Sequence, residues 1–173
     1  MITIRPILPS EARLYRTLRL QALLDSPDAY ASTHAAEAAR EEASWAARLA
    51  AAAGSGNDRA WFAFSGAEPC GLLWCKLSAA QPGVAHIYQM WVAPAFRGLG
   101  AGRALLANAV EWAASAGAQQ VRLGVTAQDS TAMRLYVNSG FRPVGAAEPL
   151  REGSGLVSQP MKLILGSNPR PHS

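Results

Sequence analysis

The chain has 173 residues, a formal net charge of +4 and a sequence pI near 9.5. This length suits one domain with a real core, and its arginines are spread out rather than gathered in runs, which favours anionic ligands without indicating nucleic acid. No stretch approaches the ~20 apolar residues of a bilayer span, and no signal peptide is apparent, so we expect a cytoplasmic protein without membrane or nucleic-acid partners.

The two cysteines, Cys70 and Cys75, are too few and wrongly spaced for a disulfide framework or a zinc site. Alternation along a strand would place them on opposite faces of a sheet. The sequence therefore predicts reduced, partly buried thiols and no metal site.

The first part of the chain predicts one strand followed by two helices. The strand covers residues 3–7, the first helix starts at Ser10 and ends before Pro27, and the second covers residues 35–53. A loop rich in Gly, Ser and Asn follows at residues 54–58. The expected buried face of the first helix consists of Leu14, Leu18, Gln21 and Leu24.

Three strands come next. Residues 60–64, 70–77 and 85–92 are apolar and aromatic and are separated by turn residues, which predicts an antiparallel meander. Counting by twos along the third strand places four side chains on one face unless a bulge intervenes. These are His86, Tyr88, Met90 and Val92.

A glycine-rich turn then connects this strand to a helix, in the segment MWVAPAFRGLGAGRALL at residues 90–106. The first turn of a helix has N–H groups without intrahelical acceptors, and the helix dipole adds positive charge there, so a pyrophosphate suits it. Gly98, Gly100 and Gly102 leave these amides accessible, and Arg97 and Arg103 could add charge-assisted hydrogen bonds. The turn therefore predicts a phosphate cradle.

The spacing disfavours two other phosphate sites. ATP or GTP chemistry would need a Lys followed by Ser or Thr after the glycines, and none is present. Dinucleotide binding, and with it nucleotide-dependent redox chemistry, would need G-x-G-x-x-G directly after the strand, whereas residues 93–96 intervene here.

The rest of the chain predicts two further helices and three strands. The first of these helices should bury Leu105, Leu106, Ala109, Val110, Trp112 and Ala113. In order, the elements are this helix, which ends at Gly117, a strand at 120–125, a short helix capped by Asp129 or Ser130 and ending at Gly140, and strands at 141–145 and 156–165. Residues 167–173 predict a disordered tail.

Two blocks of the sequence resemble the GNAT superfamily of N-acetyltransferases. Residues 97–102 read R-x-x-G-x-G, which is similar to the coenzyme A signature of that family, with a valine and a proline upstream as the family usually has them. Residues 129–141 resemble its later pattern N-x-x-A-x-x-L-Y-x-x-x-G-F, except that Asp129 replaces the usual asparagine. The two blocks cover roughly residues 90–141.

The resemblance implies a single α/β (α+β) domain over residues 1–166. Its mixed, mostly antiparallel sheet should have about seven strands flanked by about four helices. The strands that end at Val92 and near Val125 should splay apart and leave a cleft for the pantetheine arm of coenzyme A.

The implied function is transfer of an acetyl group from acetyl-CoA, the co-substrate, to a primary amine of a small molecule or protein. An alternative is a non-catalytic module that binds or senses acyl-CoA. Asp129, and the lack of a carboxylate on the strand before the turn, favour this alternative. The sequence is compatible with a homodimer.

Two side chains are candidates for the chemistry. Tyr136 matches a tyrosine that donates a proton to the thiolate in many family members, and an ordinary tyrosine pKa of about 10 keeps its hydroxyl protonated at neutral pH. His86 is the group before the turn that titrates near neutrality, so it is the candidate general base. Alternatively, Tyr136 is only a core residue, and the amine loses its proton to solvent while the site provides positioning.

The remaining site residues form two sets. In relatives a backbone N–H near Val92 points at the acetyl oxygen. The resemblance assigns coenzyme A contacts to Met90, Trp91, Val92, Arg97, Gly98, Leu99, Gly100, Ala101, Gly102, Arg103, Asp129 and Tyr136. The acceptor should lie between the first two helices and the loop at 146–155, where Tyr30, His34, Trp45, Tyr88, Trp91, Glu148 and Glu152 are candidate lining residues.

Overall fold

The computed structural model describes residues 1–166. The predicted disordered tail, 167–173, lies outside the described residues. The helices are α1 (Ala12–Asp25), α2 (His34–Ala38), α3 (Glu42–Ser55), α4 (Ala101–Ser115) and α5 (Ser130–Asn138). The strands are β1 (Ile2–Pro6), β2 (Asp58–Ser65), β3 (Glu68–Leu77), β4 (Val84–Val92), β5 (Gln120–Thr126), β6 (Arg142–Pro143), β7 (Glu148–Pro149) and β8 (Val157–Ile164).

One mixed sheet organises these elements in the order β1-β2-β3-β4-β5-β8-β6, and β7 also pairs with β8. Every pair is antiparallel except β4 with β5. The predicted mixed, mostly antiparallel fold is therefore confirmed. The sheet has eight strands rather than about seven, because the strand predicted at 141–145 shortens to β6 and the following loop contributes β7.

The two central strands diverge. β4 and β5 pair over only three positions, from Val84 opposite Gln120 to His86 opposite Arg122. Beyond these positions β4 continues to Val92 and β5 to Thr126 without pairing to each other. The predicted splay is confirmed, and His86 lies at its vertex.

A bulge in β4 changes which side chains share a face. Between Tyr88 and Trp91, β4 has one more residue than β3, and Gln89 adopts a φ of +58°. The extra residue reverses the alternation. Met90 and Val92 consequently pack on the α4 side of the sheet with Ile87, so His86 and Tyr88 face the opposite side from them. The prediction that His86, Tyr88, Met90 and Val92 share one face is therefore wrong, because the bulge separates the first two from the last two.

Two apolar clusters cover the two faces of the sheet. The cluster beneath α4 contains Leu105, Leu106, Ala109 and Ala113, with Val110 and Trp112 packed at its edge, as predicted for this helix. The other cluster joins α1 and α3 to β2, β3 and β4 around Tyr15, Trp45 and Trp74. α1 and the glycine turn therefore approach the splayed strands from opposite sides.

Both cysteines belong to the cluster beneath α4 rather than to opposite faces. The register of β2 and β3 shifts because β3 has one extra residue at Cys70, and this bulge reverses the alternation before Cys75. Both thiols are free, and burial raises the pKa of Cys75 to about 12. A thiol with so high a pKa stays protonated and unreactive at neutral pH.

The buried face of α1 differs from the predicted one. Gln21 is exposed and Leu24 is 65% exposed, because the rings of Trp45 and Trp74 pack against Tyr15 and fix the rotation of the helix. The residues that α1 buries are Tyr15, Leu18, Arg19, Ala22 and Leu23. An arginine therefore occupies a core-facing position.

The helix predicted at 35–53 is two helices. The Thr33 side chain caps α2 by accepting a hydrogen bond from the Ala36 N–H at 3.2 Å, and Glu41 is extended, with a ψ of 147°. Glu37 on α2 is buried and ion-paired to Arg48 on α3 at 3.4 Å. The break allows this ion pair to form inside the fold, which the Ala-rich sequence does not indicate.

Candidate functional site

A cleft of about 1300 Å³ opens where β4 and β5 separate. One end is formed by the glycine turn and α5, which face the unpaired part of β4. The other end is formed by α1, the segment before α2, and the β7–β8 hairpin. The Arg151 side chain ties this hairpin to the Tyr30 carbonyl at 2.8 Å. The fold therefore offers two connected compartments along one strand edge.

The glycine turn presents a row of unused amides to the cleft. Within residues 1–166, no protein oxygen accepts a hydrogen bond from the N–H groups of residues 98–103. Gly98 and Gly100 have φ values of +81° and +88°, which orient these N–H groups and would strain any residue with a Cβ. Six unpaired donors at the start of a 15-residue helix fit a pyrophosphate.

Gly102 serves packing rather than backbone conformation. A Cβ at this position would lie 3.1 Å from Leu135 Cδ2 and 3.3 Å from Met90 Cε. The missing side chain lets α4 approach α5 and β4 closely, which keeps the amides of the turn next to the splayed strand.

Arg97 lines the cleft and is also bound by other parts of the protein. Its Nη2 contacts Asp25 at 2.7 Å and its Nε donates to the Val92 carbonyl at 2.9 Å. Its amide donates to the Pro94 carbonyl at 3.3 Å. Asp25 also accepts from the Trp91 indole at 3.0 Å, and this bond, with those from Ser26 and Arg97, lowers the pKa of Asp25. Arg97 thus fastens the turn to α1, and its phosphate contact stays a prediction.

The unpaired edge of β4 exposes backbone groups of Met90 and Val92. The Ala93 N–H donates to the Cys70 carbonyl at 2.7 Å, so alternation turns the polar groups of Val92 and Met90 away from β3 and toward the cleft. The Met90 carbonyl accepts from the Tyr30 hydroxyl at 2.7 Å, and the Val92 carbonyl accepts from Arg97. Their N–H groups are therefore what this edge offers a ligand. The Trp91 side chain packs in the opposite cluster.

Asp129 caps α5, as predicted. Its carboxylate accepts a hydrogen bond from the Ala132 N–H at 3.0 Å, and the residue lies on the wall of the cleft. An ionised carboxylate in this position has no proton to donate to a ligand.

Replacing Asp129 with alanine should lower the free energy of unfolding by about 1 kcal/mol, because one amide of α5 loses its acceptor. Asp129→Asn should cost less than half of that, since the amide oxygen still caps the helix. Urea unfolding monitored by circular dichroism measures both. Equal stability of the alanine variant and the parent would show that the cap contributes nothing.

Tyr136 lies on the cleft wall with 8% of the residue exposed. Its ring packs edge-on against Phe141, with centroids 6.1 Å apart. Burial, together with the charge of Asp129, raises the pKa of Tyr136, and its hydroxyl has no hydrogen-bond partner within the described residues. The hydroxyl is therefore protonated at neutral pH and free to donate.

His86 lies at the vertex, where the β4–β5 pairing ends. Its ring stacks on Tyr88, with centroids 6.0 Å apart and planes at 23°. Burial and the charge of Arg122 lower the pKa of His86. The imidazole is therefore neutral at neutral pH and able to accept a proton.

The second compartment contains only some of the predicted acceptor residues. Tyr30, Tyr88, Trp91 and Glu148 line the cleft. His34, Trp45 and Glu152 lie outside its described lining. Trp45 is a core residue that packs against Tyr15, which explains its absence.

Several polar residues that line this compartment were not predicted from the sequence, among them Arg19, Glu37, Arg48 and Gln89. The Tyr15 hydroxyl donates to the Gln89 side-chain oxygen at 2.6 Å and fixes the bulge. Arg19 had a sequence signal, because it stands one residue after Leu18 and three before Ala22 on an otherwise apolar stripe. An arginine on such a stripe indicates a buried charge.

Comparison with known proteins identifies the family. The profile of the acetyltransferase (GNAT) family matches residues 20–141, more than half of the chain. The chain belongs to this family, and the sequence resemblance is confirmed.

Solved structures agree with the fold. An acetyltransferase of the GNAT family from Streptococcus pneumoniae superimposes with a TM-score of 0.79 at 20% identity, covering 96% of this chain and 100% of that one. A protein from Salmonella typhimurium, solved with its cofactor acetyl-CoA, superimposes with a TM-score of 0.79 at 20% identity, covering 100% and 99%. At these identities the likeness establishes the fold.

The curated relatives match over shorter stretches. A mycothiol acetyltransferase of Mycobacterium avium (strain 104) is 37% identical over 78 residues, which are 41% of this chain and 25% of that protein. The chain spans about a quarter of the length of this relative. Separately, none of the helices within residues 1–166 has the length and apolar character needed to cross a bilayer.

Proposed function

We propose that this chain transfers an acetyl group from acetyl-CoA to a primary amine in the cleft between β4 and β5. The observation that carries the proposal is a row of six amides at residues 98–103 that have no acceptor within residues 1–166 and open onto the splayed edge of β4. Family membership supports the same donor.

The binding roles follow from the free backbone donors. The amides of residues 98–103 would hold the pyrophosphate, with Arg103 beside them on the cleft wall. The N–H groups of Met90 and Val92 would hold the pantetheine arm as an added strand, and the Val92 N–H would polarise the acetyl carbonyl. When bound, acetyl-CoA supplies an activated thioester.

Two side chains would transfer protons in this reaction, one as the acid and one as the base. The Tyr136 hydroxyl, which is protonated and has no partner in the described part of the chain, would hold a proton for the departing sulfur. His86, neutral at the vertex, would accept the proton of the amine. Both are proposed roles for residues that face the same cleft.

Replacing His86 with glutamine should lower kcat by about 10²-fold if the imidazole is the base. Since the pKa of His86 is below its usual value, the parent should lose activity only as the pH falls through the acidic range, and the variant should lack this loss. A pH profile of kcat/KM measures it. A kcat within about threefold of the parent and an unchanged profile would assign proton removal to solvent.

A cytoplasmic location is part of the same proposal. Two buried free cysteines need no oxidising compartment, which is consistent with the cytoplasm.

A non-catalytic acyl-CoA-binding module is the second candidate. Asp129, in place of the asparagine usual in the family, favours it because an ionised carboxylate has no proton to donate to a ligand. A thiol-release assay with acetyl-CoA and a panel of amines separates the two candidates. Release that depends on an amine supports transfer, whereas tight acetyl-CoA binding without release on any amine would support the module.

A further inference from the structure

Arg19 is a buried arginine in the wall of the cleft that has no counterion among residues 1–166. The residue is 4% exposed, it lines the cleft, and its Nε and Nη1 have no hydrogen-bond acceptor within the described residues. Burial lowers the pKa of Arg19, yet a guanidinium stays protonated in proteins. An unpaired buried charge is costly, so its retention at this place requires a reason.

The nearest carboxylate does not neutralise Arg19. Glu37 is bound by other donors, with one oxygen bonded at 2.8 Å to a serine and the other to two different arginines at 3.0 and 3.4 Å. These donors are Ser32, Arg40 and Arg48. Within residues 1–166, Arg19 has no ion pair with any carboxylate. The local charge is therefore positive on balance.

Arg19 is also close to the reacting edge of β4. Its guanidinium lies over the Tyr30 ring at 4.6 Å, and the hydroxyl of the same ring donates to the Met90 carbonyl at 2.7 Å. One aromatic ring therefore separates the unpaired cation from the strand edge at which the acetyl group is proposed to lie. A small molecule could contact both at once.

We propose that Arg19 binds a carboxylate of the acceptor, so that the acceptor is a small amine with a carboxylate a few bonds from its nitrogen, the chemical class of amino acids. The planar guanidinium suits carboxylates, and five arginines against three carboxylates line the cleft. The amine group of the acceptor rests on the proposed function, whereas the anion site is inferred from the surroundings of Arg19 and does not require acetyl transfer.

Binding is the direct test, because it does not depend on turnover. With coenzyme A present, calorimetry should show that the full chain binds at least one L-amino acid about tenfold or more tightly than the corresponding amino acid amide. An aminoalkyl phosphate is the third ligand to be compared, and it should bind more weakly than the amino acid. Equal affinity for every acid and its amide would overturn the proposal.

Two variants connect the preference to Arg19. Arg19→Met should abolish the preference for the acid without lowering the melting temperature, because it removes an unpaired buried charge. Arg13→Met, on the same helix but 92% exposed, removes an equal charge and should keep the preference. If Arg19→Met does not fold, Arg19→Lys is the test, because lysine lacks the planar guanidinium and should have a smaller preference for the acid over the amide. An unchanged preference in the variant that folds would overturn the proposal.

The outcomes also separate this proposal from acetyl transfer. Acid-selective binding that needs Arg19, without thiol release on any amine, would support the anion site and contradict the proposed function. Equal thiol release with amino acids and with their amides would support acetyl transfer and contradict the anion site.

Discussion

Replacing Tyr136 with phenylalanine is expected to lower kcat by about 10²- to 10⁴-fold while the Kd for acetyl-CoA stays within about twofold. The hydroxyl has no partner within the described residues, so the variant loses a proton donor and no protein hydrogen bond. Stopped-flow or steady-state thiol release gives kcat, and calorimetry gives the Kd.

The same variant separates catalysis from packing. The Tyr136 ring contacts Phe141, and phenylalanine preserves this contact, so the melting temperature should stay the same. Unchanged kcat would remove Tyr136 from the acid role. A matching rise in Kd and fall in kcat/KM at constant kcat would assign the hydroxyl to binding instead.

Replacing Gly100 with alanine is expected to weaken acetyl-CoA binding by about tenfold or more. A residue with a Cβ at a φ of +88° costs about 1–2 kcal/mol, and relaxing this strain would turn the amides of the cradle away from the ligand. Calorimetric titration with coenzyme A measures the loss.

Gly56 provides the matched control. It has a φ of +68° after α3, a Cβ there would meet no atom within 4 Å, and it does not line the cleft. Gly56→Ala should therefore cost similar stability and leave the Kd for coenzyme A unchanged. Equal loss of binding in both variants would mean that Gly100 acts through general stability rather than through the cradle.

The parts of the fold that were predictable depend on neighbours in sequence. The glycine turn, the Asp129 cap and the apolar stripe of α4 each occupy a continuous segment, and their chemistry is readable from spacing. The splay followed from the family resemblance. These features identify the end of the cleft that faces the donor.

The parts that failed depend on contacts between distant segments. The bulge at Gln89, which divides the expected common face of β4, is held by Tyr15, 74 residues away. The ion pair of Arg97 with Asp25, 72 residues away, was likewise not expected. Neither partner has a local signal. The break between α2 and α3 likewise depends on a buried ion pair that the Ala-rich sequence conceals.

The second compartment was harder to predict for a physical reason. The predicted buried face of α1 consisted of Leu14, Leu18, Gln21 and Leu24. Arg19 was therefore not expected on it, although Arg19 lies on the stripe that contains Leu18 and Ala22. Only the structure shows that Arg19 has no carboxylate partner within residues 1–166, and this absence is what indicates an anion site. The proposal about the acceptor therefore rests on a residue whose surroundings only the folded structure shows.

Amide hydrogen exchange of the full chain with and without coenzyme A is the direct test of the cradle at residues 98–103. Exchange should be slower at these residues and at Met90 and Val92 when coenzyme A is bound, with little change at β1 and β2. Protection confined to other segments, or none at residues 98–103 at saturating coenzyme A, would contradict the proposed cradle.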